Sequence, residues 1–127
     1  MANAEVERIA IEHVMQLERD AGREPVDVHN RGVPYDIESP PRKIEVKAVS
    51  KSARGEGIPL EARQFNAARE DPDNYYLYVV DNVASGPQVR VFHGDSLRKM
   101  LDDCKPSTTY WATFRTGTYD QMGTGIR

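Results

Sequence analysis

Six residues, Tyr75-Tyr76-Leu77-Tyr78-Val79-Val80, form an unbroken apolar and aromatic run with turn residues on both sides. A continuous run of this length suits a strand covered on both faces, so layers must lie above and below it. Upstream, Lys43 to Val49 reads as a second apolar strand. Between the two, Pro59 to Arg69 carries Leu60, Phe65 and Ala68 at helical spacing, and Asp71-Pro72-Asp73-Asn74 ends that helix. Strand, helix and strand in this order predict a right-handed crossover joining two parallel strands.

The remaining segments fill in an α/β fold. Residues 4–20 read as an amphipathic helix, with Val6, Ile9, Ala10, Val14 and Leu17 on its apolar face. Asn3 can cap it and Ala21-Gly22 stops it. Pro25 to His29 and Tyr35 to Glu38 alternate as short strands, parted by the turn Asn30-Arg31-Gly32. With Ser39-Pro40-Pro41 as the next turn, they form an antiparallel meander with the strand from Lys43. Residues 50–57 are expected to be a mobile polar loop, lacking the residue order of a nucleotide-binding loop. After Ala84-Ser85-Gly86-Pro87 come an edge strand, Gln88 to Phe92, and a helix from Asp95 to about Asp102. Thr108 to Arg115 reads as a last strand, with Tyr110 and Trp111 closing the core. From Thr116 the chain is expected to fray. The expectation is a single domain over residues 1–115, a mixed sheet of about five strands flanked by helices, and a flexible tail over 116–127.

Composition sets outer limits. The chain has 127 residues, 39% of them hydrophobic and 29% charged, which suits one domain with a true core. No apolar run approaches a membrane span and no secretory signal opens the chain, so a cytoplasmic protein with no membrane partner is expected. The lone Cys104 excludes an internal disulfide and a cysteine-rich zinc site. It has no base beside it in sequence to make it a nucleophile. His13, His29 and His93 show no ligand spacing and read as structural or surface residues. A net charge of -3 gives no global attraction to nucleic acid. Binding of that kind needs a local basic patch, and Arg42, Lys43, Lys47, Lys51 and Arg54 fall within thirteen consecutive positions.

The chemistry concentrates on the strand from Lys43. Side chains alternate along a strand, so Glu45 and Lys47 share one side of the sheet and Ile44 and Val46 the other. The hairpin turn places Asp36 close to Glu45. At about 100° per residue, Glu7 falls within the apolar arc of the first helix. Glu18 falls at its edge. Three acids and an amine around one point suit a hard divalent cation, which takes oxygen ligands, and hydrolysis of a phosphodiester. A plain Glu45–Lys47 ion pair beside a solvated Asp36 fits the same spacing.

The segments Glu7, Leu17-Glu18-Arg19 with Gly22, Tyr35-Asp36-Ile37 with Ser39, Ile44-Glu45-Val46-Lys47, Ile58-Pro59-Leu60 and Tyr75 to Val80 carry a resemblance. Together they resemble the PD-(D/E)XK nuclease superfamily and, more narrowly, the domain family named after the C-terminal part of the plant protein NO VEIN. Members of that family are often fused to helicase or restriction-type ATPase modules. The resemblance covers residues 4 to about 92. It implies a restriction-endonuclease-like fold, Asp36 and Glu45 as metal ligands with the Val46 carbonyl, Lys47 as the catalytic lysine and Glu7 as the helix carboxylate. Two positions depart from the pattern. Pro34 stands where a glycine is expected before Tyr35-Asp36. Gln64 stands where relatives commonly have an acid, which speaks against a role for that helix at the site.

The expected function is therefore a magnesium-dependent DNA endonuclease, with manganese as a substitute ion, acting in defence, restriction or repair. Arg31, Arg42, Lys43, Lys51 and Arg54 would grip the nucleic-acid backbone. The competing class is a non-catalytic module of the same fold that binds nucleic acid or docks a helicase. Specificity would come from a fused or separate helicase or ATPase partner, a homodimer, or the structure of the nucleic acid.

Overall fold

The computed structural model describes residues 3–126. Met1, Ala2 and Arg127, which fall in the expected domain and tail, lie outside the described residues. The order of elements is α1 (Asn3–Asp20), β1 (Val26–Asp27), β2 (Ile37–Ser39), β3 (Arg42–Ala48), α2 (Ala62–Glu70), β4 (Tyr75–Asp81), β5 (Gln88–Phe92), α3 (Asp95–Asp102) and α4 (Thr116–Met122). The five strands form one sheet in the order β1-β2-β3-β4-β5. Only β3 and β4 run parallel, with α2 as the connection, and the other neighbours are antiparallel. The fold is α/β with a mixed five-stranded sheet between helices, as the apolar run of β4 requires.

Two cores lie on the two faces of that sheet. On one face α1 packs Val6, Ala10, Ile11 and Val14 over Ile37, Ile44, Val46, Tyr78 and Val80. The buried stripe of α1 includes Ile11, while Leu17, expected inside, is 38% exposed. On the other face α2 and α3 cover Tyr75, Leu77 and Val79 with Ala68, Leu97 and Leu101. Tyr75 is buried, and its hydroxyl donates to the Pro34 carbonyl at 2.7 Å. Proline at that position thus leaves the carbonyl that ties the β1–β2 connection to the central strand.

Four expectations are corrected. The second helix starts at Ala62, not Pro59. Its first turn is closed by Gln64, whose Oε1 accepts the Glu61 N–H at 3.0 Å. The loop after β3 is anchored rather than free. Asp81, at the end of β4, accepts the Ser52 hydroxyl at 3.1 Å and the Ala53 N–H at 2.9 Å. The stretch Thr108 to Arg115 forms no strand. It is exposed throughout, with Tyr110 at 91% and Trp111 at 87% exposure. After α3 the described chain adds no strand to the five-stranded sheet. Thr116–Met122, expected to fray, is a short exposed helix.

Candidate active site

The site forms where β2 stops and β3 continues. β2 pairs only with Arg42 to Ile44, so the C-terminal half of β3 lies along an open sheet edge. One step beyond the last pair, Ile37 and Ile44, the next residues are Asp36 and Glu45, which stand opposite each other on one face. Asp36 then satisfies the strand edge. Its Oδ2 accepts the Val46 N–H at 2.9 Å, a donor that β2 is too short to meet. Around this notch, α1, the β1–β2 connection and α2 leave an open cleft of about 540 Å³. Asp36, Glu45, Val46, Lys47, Glu7 and Gln64 are among its lining residues.

Alternation along β3 sends Glu45 and Lys47 to the α2 side, as expected. Lys47 Nζ lies 3.0 Å from Glu45 Oε2. Gln64 bridges the two: its Oε1 accepts from Lys47 Nζ at 2.9 Å, and its Nε2 donates to Glu45 Oε2 at 3.0 Å. The amide that closes the first turn of α2 therefore also fixes both charged groups of the site. Sequence reasoning set this helix aside because Gln64 replaces an acid. A glutamine three residues into a helix start, as in a capping box, was the available signal.

Glu45 is 3% exposed and Asp36 9% exposed. Glu45 Oε1 is buried without a hydrogen-bond partner. Burial pushes the Glu45 carboxyl up to about 8, and Asp36 pushes the same way; Lys47 opposes both without overcoming them. Burial also raises Asp36 above the ordinary carboxylate range, although the Val46 N–H counters it. Burial raises both carboxyls, but Glu45 lowers Asp36 while Asp36 raises Glu45, so within the pair Glu45 is the acid that holds its proton to higher pH.

Glu7 lies in the cleft wall but is exposed. Its angular position on α1 is as expected. Its neighbours Val6 and Ala10 reach the core, but Glu7 lines the open cleft and stays solvated. Among the described residues, no three His, Cys, Asp or Glu side chains are grouped closely enough to hold a metal ion by themselves. The hard-oxygen donors available are the Asp36 and Glu45 pair and the Val46 carbonyl. The helical acid that α1 does bury is Glu18, on the other face of the sheet. The C-terminus of α1 turns at Gly22, whose φ of +83° suits glycine. The Gly22 N–H bonds to Arg19 O and the Arg23 N–H to Glu18 O, both at 2.9 Å, which folds Arg23 back over the helix. Arg23 then donates twice to Glu18, at 2.6 and 2.9 Å, and the Tyr78 hydroxyl donates at 2.8 Å.

The basic residues separate. Arg42 faces α1, not the cleft: it donates to the Tyr78 hydroxyl at 2.7 Å and its guanidinium lies 4.2 Å from the Tyr76 ring centre. Lys43 lies 3.8 Å from Asp71 at the end of α2. Lys51 and Arg54 are exposed on the anchored loop, and Arg31 on the β1–β2 connection. None of these five lines the cleft. Its rim instead carries Arg63, bonded to the Gly32 carbonyl, and His29, whose Nδ1 lies 2.5 Å from Asp27 Oδ1. That contact raises the His29 pKa.

A family model described as Protein NO VEIN, C-terminal matches residues 6–92. The chain belongs to this family. The matched segment runs from α1 to the end of β5 and so contains Asp36, Glu45, Lys47 and Gln64 together with the whole sheet. No curated protein and no solved structure matches the chain. No helix among the described residues is long and apolar enough to cross a membrane.

Proposed function

We propose that this NO VEIN C-terminal domain is a metal-dependent DNA endonuclease of the PD-(D/E)XK type, working in defence, restriction or repair. The observation that carries the reading is the buried, unpartnered Glu45 Oε1 beside Asp36, at the wall of a cleft that also holds Lys47. A folded protein rarely leaves a carboxylate oxygen buried and unbonded, and a hard cation is the partner its chemistry favours. Magnesium is commonly held by one or two carboxylates plus water, so this pair suffices, with the Val46 carbonyl as a third donor. A magnesium or manganese ion held there would supply charge neutralisation for a phosphodiester and a water of lowered pKa. Asp36 and Glu45 would hold it, Lys47 would orient the attacking water, and Gln64 would keep Lys47 and Glu45 in register. Arg63 and His29 on the rim would receive the flanking phosphates, with Lys51, Arg54 and Arg31 further out.

One observation favours a second reading, a non-catalytic nucleic-acid-binding or helicase-docking module. Lys47 is closed onto Glu45 and Gln64. Cleavage of plasmid, single-stranded and branched DNA with magnesium or manganese separates the two. The nuclease reading expects nicking that is lost in Lys47→Ala and Asp36→Ala proteins of unchanged fold. Absence of cleavage by the wild-type protein on all three substrates leaves the binding module.

A further inference from the structure

The edge of β3 beside the cleft carries a backbone donor that the sheet does not use. Along a strand, the N–H and C=O of one residue point to one neighbour and those of the next residue to the other. In β3 the odd-numbered residues face β4: the Lys43 N–H bonds to Asn74 O at 2.8 Å and the Val49 N–H to Val80 O at 2.9 Å. The even-numbered ones face the β2 side. There Ile44 O accepts the Asp36 N–H at 2.8 Å, and the Val46 N–H meets the Asp36 carboxylate at 2.9 Å. The register with β4 runs unbroken from Lys43 to Ala48, so the Ala48 N–H points to the same open edge as the Val46 carbonyl. β2 pairs no further than Ile44, and among the described residues no backbone carbonyl accepts the Ala48 N–H. Ala48 lines the cleft together with Asp36, Glu45, Val46 and Lys47. The other donor there, Lys47 Nζ, is already bonded to Glu45 and Gln64. An added peptide strand is a poor occupant for this edge, because it would need the Val46 N–H that Asp36 already holds. A single free donor beside a carbonyl and two carboxylates suits an anion that shares the site with a cation. A phosphodiester has two non-bridging oxygens, one for each.

We propose that the Ala48 N–H binds one non-bridging oxygen of the scissile phosphodiester, leaving the other for the cation held by Asp36, Glu45 and the Val46 carbonyl. The β3–β4 ladder fixes this donor, so it needs no reorganisation as charge grows on the oxygen in the transition state. The inference rests on the proposed nuclease reading for the cation and the substrate. The direction of the N–H stands apart from that reading.

NMR of the full, isotope-labelled chain reads this donor directly. In the free protein, hydrogen exchange at Ala48 should be about ten-fold faster than at Lys47 and Val49, whose N–H groups face β4. Titration with oligothymidylate in calcium, a hard cation that also takes oxygen ligands, should move the Ala48 amide resonance downfield and slow its exchange. Ala48→Pro removes the N–H without removing a ladder bond, and an ester linkage at Ala48 does so with the side chain unchanged. Both proteins should cleave plasmid DNA with magnesium about 10²-fold more slowly, and circular dichroism of the ester protein should match wild type. In a wild type that cleaves, an Ala48 amide unmoved at saturating oligothymidylate overturns the proposal and leaves the nuclease reading standing. So does an ester protein that cleaves as fast as wild type. A wild type that moves the Ala48 amide but never cleaves keeps the phosphate contact and removes the nuclease. No cleavage and no shift overturn both. Slow exchange at Ala48 in the free protein, with a dimer in light scattering that Ala48→Pro abolishes, overturns the proposal because the edge then pairs with a second copy.

Discussion

Two buried glutamates lie on opposite faces of the same sheet, and their surroundings differ in kind. Glu18 is 1% exposed and Glu45 is 3% exposed. Burial pushes Glu18 upward, but hydrogen bonds from Arg23 and Tyr78, with the Ser39 hydroxyl beside them, outweigh it and hold its pKa below the ordinary value. Tyr78, which gives its proton to that bond, is itself pushed up to about 12, first by burial and then by Glu18. Glu45 also has a cation beside it, yet one of its oxygens is unpartnered and Asp36 crowds the other side. The comparison teaches that one adjacent cation does not satisfy a buried carboxylate. Fuller hydrogen bonding does, and Glu45 lacks it where the open edge of β3 meets the cleft. Glu18 is thus tied into the fold, whereas the proposed function gives Glu45 a ligand to receive.

The sharpest way to break this contrast is to truncate each site in turn. Lys47→Ala and Asp36→Ala should lower magnesium-dependent cleavage by about 10²–10³-fold, read from plasmid nicking rates. The urea midpoint of Lys47→Ala should stay near wild type, and Asp36→Ala should lose about 1 kcal/mol because the Val46 N–H loses its acceptor. Glu18→Ala should do the reverse. It leaves Arg23, Arg42 and Tyr78 without their shared acceptor and should lower stability by about 3 kcal/mol, read by urea denaturation. Cleavage measured well below the melting temperature should persist. If Glu18→Ala abolished cleavage while leaving stability intact, the assignment of the two glutamates would be reversed.

The pH dependence should also separate them. Glu45 keeps its proton in the folded protein up to about pH 8, whereas unfolding returns it to an ordinary value near 4.5. Between those values the native state binds more protons than the unfolded state, so this group makes stability fall as pH rises. Glu18 has the opposite sign: its contribution is present above the ordinary carboxylate value and is lost as pH falls through its lowered one. In metal-free buffer, Glu45→Gln should therefore flatten the decline in urea midpoint between about pH 5 and 8. Magnesium should stabilise the wild type most at the upper end of that range, where Glu45 gives up its proton most readily. A wild-type midpoint that is level across the window, with or without magnesium, would count against the raised pKa and against the cation site.

The smallest effect is expected at Gln64. Gln64→Glu removes the donor to Glu45 Oε2 and adds a charge beside it, while Lys47 keeps an acceptor. Stability without metal should drop by about 1 kcal/mol, and magnesium should restore it. A thermal melt with and without the ion reads both.

Much of this was legible residue by residue. Glu45 and Lys47 on one face, Asp36 across the hairpin and β4 in mid-sheet all follow from strand alternation and turn placement. The failures have a common cause. Glu7 and Glu18 were both placed on or beside the apolar arc of α1, but periodicity does not say where the sheet under that arc begins and ends. Arg42 and Lys43 are sequence neighbours within one basic cluster, yet the pleat sends them to opposite faces. Tyr110 and Trp111 are apolar enough for a core, but composition does not say whether the chain after α3 returns to the sheet, and both are exposed.

Residue pattern was enough for the layered α/β order, the parallel pairing of β3 with β4, and the shared face of Glu45 and Lys47; it left open whether Asp36 turned inward or to water. The shared face follows from the two-residue period of a strand, and the parallel pairing from the strand–helix–strand order with its right-handed crossover. The tertiary structure alone decided that Gln64 bridges Glu45 and Lys47, that Glu18 is the sealed acid, and that one oxygen of Glu45 lacks a partner. Those outcomes depend on which element lies opposite, and local periodicity carries a side chain's direction but not the neighbour it meets.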